Sequence, residues 1–160
     1  VVAVLLAGGR LAGADEMPGN ARLGQPAERM AVAQAIAGAA RKLADERCEG
    51  LLDEFADASG RPLRAALQEQ GLSAGEYLGR VLFYDAPPAA CEGTETLAGT
   101  HLVGGRVIRV CGRRFARAVS ESFSHAEAVI IHEMLHSLGL GENPPTSDYI
   151  TSRVKDRCRR

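Results

Sequence analysis

Two histidines four residues apart, His132 and His136, bracket Glu133 in the run His132-Glu133-Met134-Leu135-His136. On a helix that spacing places both imidazoles on one face, one turn apart, where they can share a tetrahedral Zn²⁺. Glu133 follows the first histidine and points beside the metal rather than at it. A carboxylate there can hold and deprotonate a zinc-bound water, whose pKa the metal lowers to about 7, and return the proton to a leaving group. The surrounding residues are apolar, so burying three polar groups among them costs several kcal/mol unless a metal partners them.

The longer run His132 to Glu142, HEMLHSLGLGE, resembles the zincin metallopeptidases, with a spacing similar to the metzincin pattern H-E-x-x-H-x-x-G-x-x-H. The resemblance implies that His132 and His136 are zinc ligands and that Glu133 is the general base. At the third-ligand position stands Glu142 instead of histidine. Carboxylates also ligate zinc, and Gly139 lets the chain turn back toward the metal, so Glu142 is the expected third ligand. Asp148, at the start of the next helix, is the rival, as in zincins that take a carboxylate from a second helix. No methionine follows Met134, so the metzincin Met-turn is absent.

The elements that must position these groups follow from periodicity. Pro26 to about Arg47 reads as a long Ala-rich helix, Cys48 to Phe55 as a second helical stretch, and Pro62 to Gly71 as a third, started by proline and stopped by glycine. Ser73 and Glu76 form a capping-box pattern. Arg80 to Tyr84 reads as a strand and Pro87 to Glu95 as a loop. Thr100 to Val103 and Arg106 to Val110, around Gly104-Gly105, suggest a hairpin. Ser124 and Glu127 suggest a second capping box, opening a buried helix from His125 to about Leu138 that Gly139 and Gly141 stop. After Pro144-Pro145, Thr146 or Ser147 can cap a last helix to about Cys158. The expected fold class is α+β: a small mixed or antiparallel sheet packed on the long N-terminal helix and the buried motif helix.

Zincins bind extended substrate along an edge strand above the active-site helix, and by that resemblance Arg106 to Val110 is a candidate. His125 lies two turns from His132, about 10 Å along the axis, too far to share the ion. His101 reads as an ordinary strand residue, and Tyr149 as packing for the last helix.

The chain has 160 residues, 46% hydrophobic and 24% charged, which suits one domain with a single core. A net charge of −1 leaves no electrostatic footprint for nucleic acid. Val1 to Ala7 is apolar, and Leu11 to Ala14 supplies small residues before Asp15-Glu16, similar to the end of a secretory signal. We therefore read residues 1–25 as a signal-peptide remnant and linker, and 26–160 as the domain. No stretch suits stable membrane insertion. Cys48, Cys91, Cys111 and Cys158 form no C-x-x-C pair, and an even count in an exported chain favours two disulfides. Of three connectivities, Cys91–Cys111 with Cys48–Cys158 is preferred. The expected location is secreted or periplasmic. The expected function is zinc-dependent hydrolysis of a peptide or protein substrate. A hydrolase of non-peptide amides shares the same residues, and a non-catalytic, zinc-stabilised binding protein is the alternative from another class.

Overall fold

The computed structural model describes residues 18–93 and 95–159; the apolar run and small-residue stretch read as a signal remnant lie outside the described residues. Helix α1 (Pro26–Leu43) has proline in its first turn, Glu28 near its N-terminus, and Arg41 and Lys42 in its last turn, matching the helix dipole at both ends. It stops at Leu43, before the expected Arg47. The Asp45 side chain there accepts from the Arg47 amide and starts α2 (Glu46–Glu49), followed by α3 (Leu51–Glu54). Helix α4 (Leu63–Gln70) ends on Gly71 at φ 63°, and α5 (Ala74–Leu78) carries the Ser73–Glu76 capping box in full.

Strand β1 (Ala21–Arg22) falls within the stretch read as linker. Its neighbour Asn20 is buried, and the Asn20 amide donates to the carbonyls of Leu78 and Val81, which ties this segment into the domain. Two strand residues flanked by Pro18, Gly19 and Gly24 give too little periodicity to be seen in sequence. Strands β2 (Leu82–Asp85), β3 (Ala98–Thr100) and β4 (Val107–Val110) complete a mixed sheet of order β1-β2-β4-β3. β1, β2 and β4 run parallel, and β3 pairs antiparallel with β4, Thr100 opposite Ile108. The hairpin forms, but its first strand lies earlier than expected: β3 shares only Thr100 with the expected Thr100 to Val103, and β4 begins at Val107. Its strand Arg106 to Val110 lies inside the sheet, between β2 and β3, so it offers no free edge; β3 does. A short turn of helix, α6 (Pro88–Cys91), sits within the expected loop.

Helix α7 (Gly112–Glu121) was not anticipated. It buries Phe115 and Ala118 against α1 and α8 while Arg113 and Arg117 face outward. Helix α8 (Phe123–Ser137) is capped by Ser122, which accepts from the His125 amide, rather than by Ser124. The expected Ser124–Glu127 box does not form, because Lys42 of α1 takes both groups: its ammonium lies 3.0 Å from the Glu127 carboxylate and 3.1 Å from Ser124 Oγ. Gly38 makes room for this pair, since a Cβ there would sit 2.0 Å from Glu127 Oε1. From Ala126 to Ser137 every residue of α8 but Val129 is buried.

Helix α9 (Ser147–Arg157), capped by Thr146, packs on α8. Cys48–Cys158 ties its end to α2, and Arg153 and Arg157 both bind Glu54 of α3. Cys91–Cys111 joins α6 to the start of α7. Both disulfides are those preferred from the sequence, and they are consistent with an oxidising environment. Among the described residues no helix is long and apolar enough to cross a membrane.

Candidate metal centre

The last two turns of α8 carry the site. His132, Glu133 and His136 are each only 6% exposed. The helix keeps the two imidazoles on one face, with ring centroids 4.8 Å apart. Their Nε2 atoms lie 3.0 Å apart. In tetrahedral coordination at about 2.0–2.1 Å, two ring nitrogens stand roughly 3.3 Å apart, so this pair is already near ligand spacing.

Each ring is held from behind. His136 Nδ1 lies 2.7 Å from the Leu140 carbonyl oxygen, and His132 Nδ1 lies 2.9 Å from Thr151 Oγ1 on α9. The first contact follows from how α8 ends. The Gly139 amide donates to the His136 carbonyl and the Leu140 amide to that of Leu135, the paired bonds of a Schellman stop. Gly139 adopts φ 113°, which a side chain would resist, and this reversal brings the Leu140 carbonyl back to the imidazole. Leu140 is steadied in turn by an isolated bridge to Asp57. Thr146 starts α9 at the angle that puts Thr151 behind His132.

Glu142, on the exposed loop after the stop, completes the group: ligand atoms of His132, His136 and Glu142 all lie within 4.8 Å of one another. Among the described residues the group comprises these three. Asp148, the rival ligand, is exposed in the first turn of α9 and outside it, as are half-buried His125 and exposed His101. Two imidazoles and a carboxylate suit zinc chemically, and the donor set leaves a tetrahedral ion one further position.

Glu133 stands beside the ligand group without joining it. Thr100 Oγ1, from edge strand β3, donates to Glu133 Oε2 at 2.8 Å and lies 3.1 Å from the Glu133 carbonyl oxygen. Burial pushes the Glu133 carboxyl above its ordinary range, against the lowering pull of the Thr100 hydrogen bond and of His136. Burial, then the neighbouring His136, pushes the His132 imidazole down to about 4, so the ring is neutral at pH 7 and its lone pair is available. A cleft of about 280 Å³ opens over these groups, lined by Ala98, Gly99 and Thr100 of β3, Val103 and Ser147. Tyr149 lies on the surface of α9, its ring edge-on to Phe55 at 6.3 Å.

Sequence reasoning did not single out Thr100, Thr151 or the Leu140 carbonyl. Each acts through a contact with a histidine or glutamate 4 to 33 residues away, and a hydroxyl or a main-chain oxygen carries no pattern of its own. Compared with known proteins, the chain matches no family model, no curated protein and no solved structure.

Proposed function

We propose that this protein is a zinc-dependent hydrolase of zincin type that cleaves peptide bonds in a secreted or periplasmic setting. The observation that carries the reading is the pair of Nε2 atoms 3.0 Å apart, each ring anchored through Nδ1, beside a buried carboxylate that is not a ligand. His132, His136 and Glu142 hold the ion. A zinc ion bound there supplies a Lewis acid for the scissile carbonyl and makes hydroxide available near neutral pH.

Glu133 does the proton work. Its carboxylate accepts a proton from water as the water oxygen bonds to the carbonyl carbon. It then delivers that proton to the amide nitrogen as the C–N bond breaks, leaving a carboxylic acid, which still carries water's second proton, and an amine. Its raised pKa favours the first step, because a carboxylate that holds a proton more firmly is the stronger base toward water. The hydrogen bond from Thr100 fixes the carboxylate over the cleft. Strand β3 ends the sheet, and its residues line the cleft, so an extended peptide can pair along it and bring a main-chain carbonyl over the histidines.

A three-residue donor set favours turnover over a purely structural ion, for which a fourth protein ligand is expected. The test is metal analysis of the purified protein, then cleavage of a peptide library with and without chelator. One bound zinc and chelator-sensitive cleavage support the proposal. Zinc bound without cleavage of peptides or of simple amides returns the protein to the binding class, and absence of zinc binding removes the centre altogether.

A further inference from the structure

We infer that Thr151 is a positioning residue that selects the tautomer of His132, donating to Nδ1 in the metal-free protein and accepting from it once zinc is bound. The inference rests on the zinc centre proposed above. It begins from a difference between the two rings. His136 Nδ1 faces a carbonyl oxygen, which can only accept, so that nitrogen carries the ring proton and His136 Nε2 presents a lone pair. His132 Nε2 lies 3.0 Å from that lone pair, and two lone pairs at this distance would repel. With both rings neutral and no ion between them, His132 Nε2 carries a proton and donates to His136 Nε2. His132 Nδ1 is then an acceptor, and its partner has to be a donor.

With zinc bound the requirement inverts. His132 Nε2 gives its lone pair to the ion, the ring proton sits on Nδ1, and the partner must accept. A carbonyl oxygen behind His132 would serve only the second state. A hydroxyl serves both, and Thr151 Oγ1 lies 2.9 Å from Nδ1. The ring stays neutral throughout: one proton moves from Nε2 to Nδ1 through solvent exchange, and the hydroxyl rotates. Helix α9 holds Thr151 in place through Cys48–Cys158 and the Glu54 pairs with Arg153 and Arg157.

Two measurements test this. Nitrogen-15 NMR of histidine-labelled wild type should show His132 protonated on Nε2 without metal and on Nδ1 with zinc, while His136 stays protonated on Nδ1. In chelator competition, Thr151→Val should weaken zinc binding by about 10- to 100-fold, as loss of an outer partner does elsewhere, while Thr151→Ser, which keeps the hydroxyl, stays within about threefold of wild type. Wild-type protein that binds zinc with His132 protonated on Nδ1 in both states, or with Thr151→Val binding as tightly, overturns the inference and leaves the zinc centre standing. If Thr151→Val does not fold, the wild-type spectra and Thr151→Ser decide. Wild-type protein that binds no zinc overturns the centre and the inference together.

Discussion

Two glutamates on α8, Glu127 and Glu133, are equally buried, each 6% exposed, yet the protein treats them differently. Glu127 meets Lys42 at 3.0 Å in a space that Gly38 leaves open, so its charge is answered within the chain. Among the described residues the Glu133 carboxylate meets the hydroxyl of Thr100, beside two imidazoles whose Nε2 atoms face each other. The first half of the helix is closed electrostatically; the second half gathers groups that could hold a metal ion. A buried charge with a full complement belongs to the fold, whereas a group of buried donors that lacks one is where chemistry is to be sought.

The comparison is broken or sharpened first by the glutamates themselves. Glu133→Gln should lower peptide hydrolysis by about 100- to 10,000-fold, the range for loss of a general base, while zinc stoichiometry stays unchanged. Glu127→Gln should leave turnover near wild type. Hydrolysis retained by Glu133→Gln would remove the distinction drawn here. Next, Lys42→Met leaves the Glu127 carboxylate buried without its cation and should cost about 3–5 kcal/mol in urea unfolding. Adding Glu127→Met should recover most of that loss, because the paired charges contribute little beyond cancelling each other's desolvation.

A smaller effect should cross from fold to site. Gly139→Ala forces a side chain onto φ 113° and against Asp57, at about 1–3 kcal/mol. It also displaces the Leu140 carbonyl from His136, so zinc affinity should fall along with stability, as chelator competition would show. A stability loss with unchanged affinity would mean that the stop of α8 does not position the ring. The smallest effect belongs to the surface. Burial raises the Glu54 carboxyl, and the hydrogen bonds and charges of Arg153 and Arg157 outweigh it, so the net shift is downward. A carboxyl held low in the folded state adds stability above its ordinary range, near 4.3, and loses it as pH falls through the folded value. Glu54→Gln should therefore be less stable than wild type at pH 7 by under about 1 kcal/mol, with the gap closing in acid.

What could be read from the residues was what repeats or what chemistry demands locally. The spacing of His132 and His136 needs only a helix to bring two imidazoles together, and the resemblance to the metzincin spacing pointed to Glu142 beyond a glycine turn, so all three came together as expected. Long α1, the Ser73–Glu76 box and both disulfides were legible for similar reasons. Strand β1 was not, since two residues carry no period and their pairing with Phe83 and Tyr84 crosses about sixty positions. Helix α7 has its apolar residues at Phe115, Ala118 and Val119, a pattern diluted by three arginines over one short face. The cap of α8 was misassigned to Ser124 because the partly buried Lys42 that claims Ser124 and Glu127 comes from a helix more than eighty residues earlier. The supporting hydroxyls of Thr100 and Thr151 are likewise products of tertiary packing.

The loop 101–106 beside the cleft exposes Leu102 and Val103, at 67% and 58%, a natural target for proteolysis. Both disulfides span that loop, joining Cys48 to Cys158 and Cys91 to Cys111 across sequence separations of 110 and 20. A single nick there releases nothing: α1 and α8 stay in one covalent particle, and the two pieces part on a gel only after reduction. The staples thus make the molecule tolerant of a chain cut at the rim of the cleft.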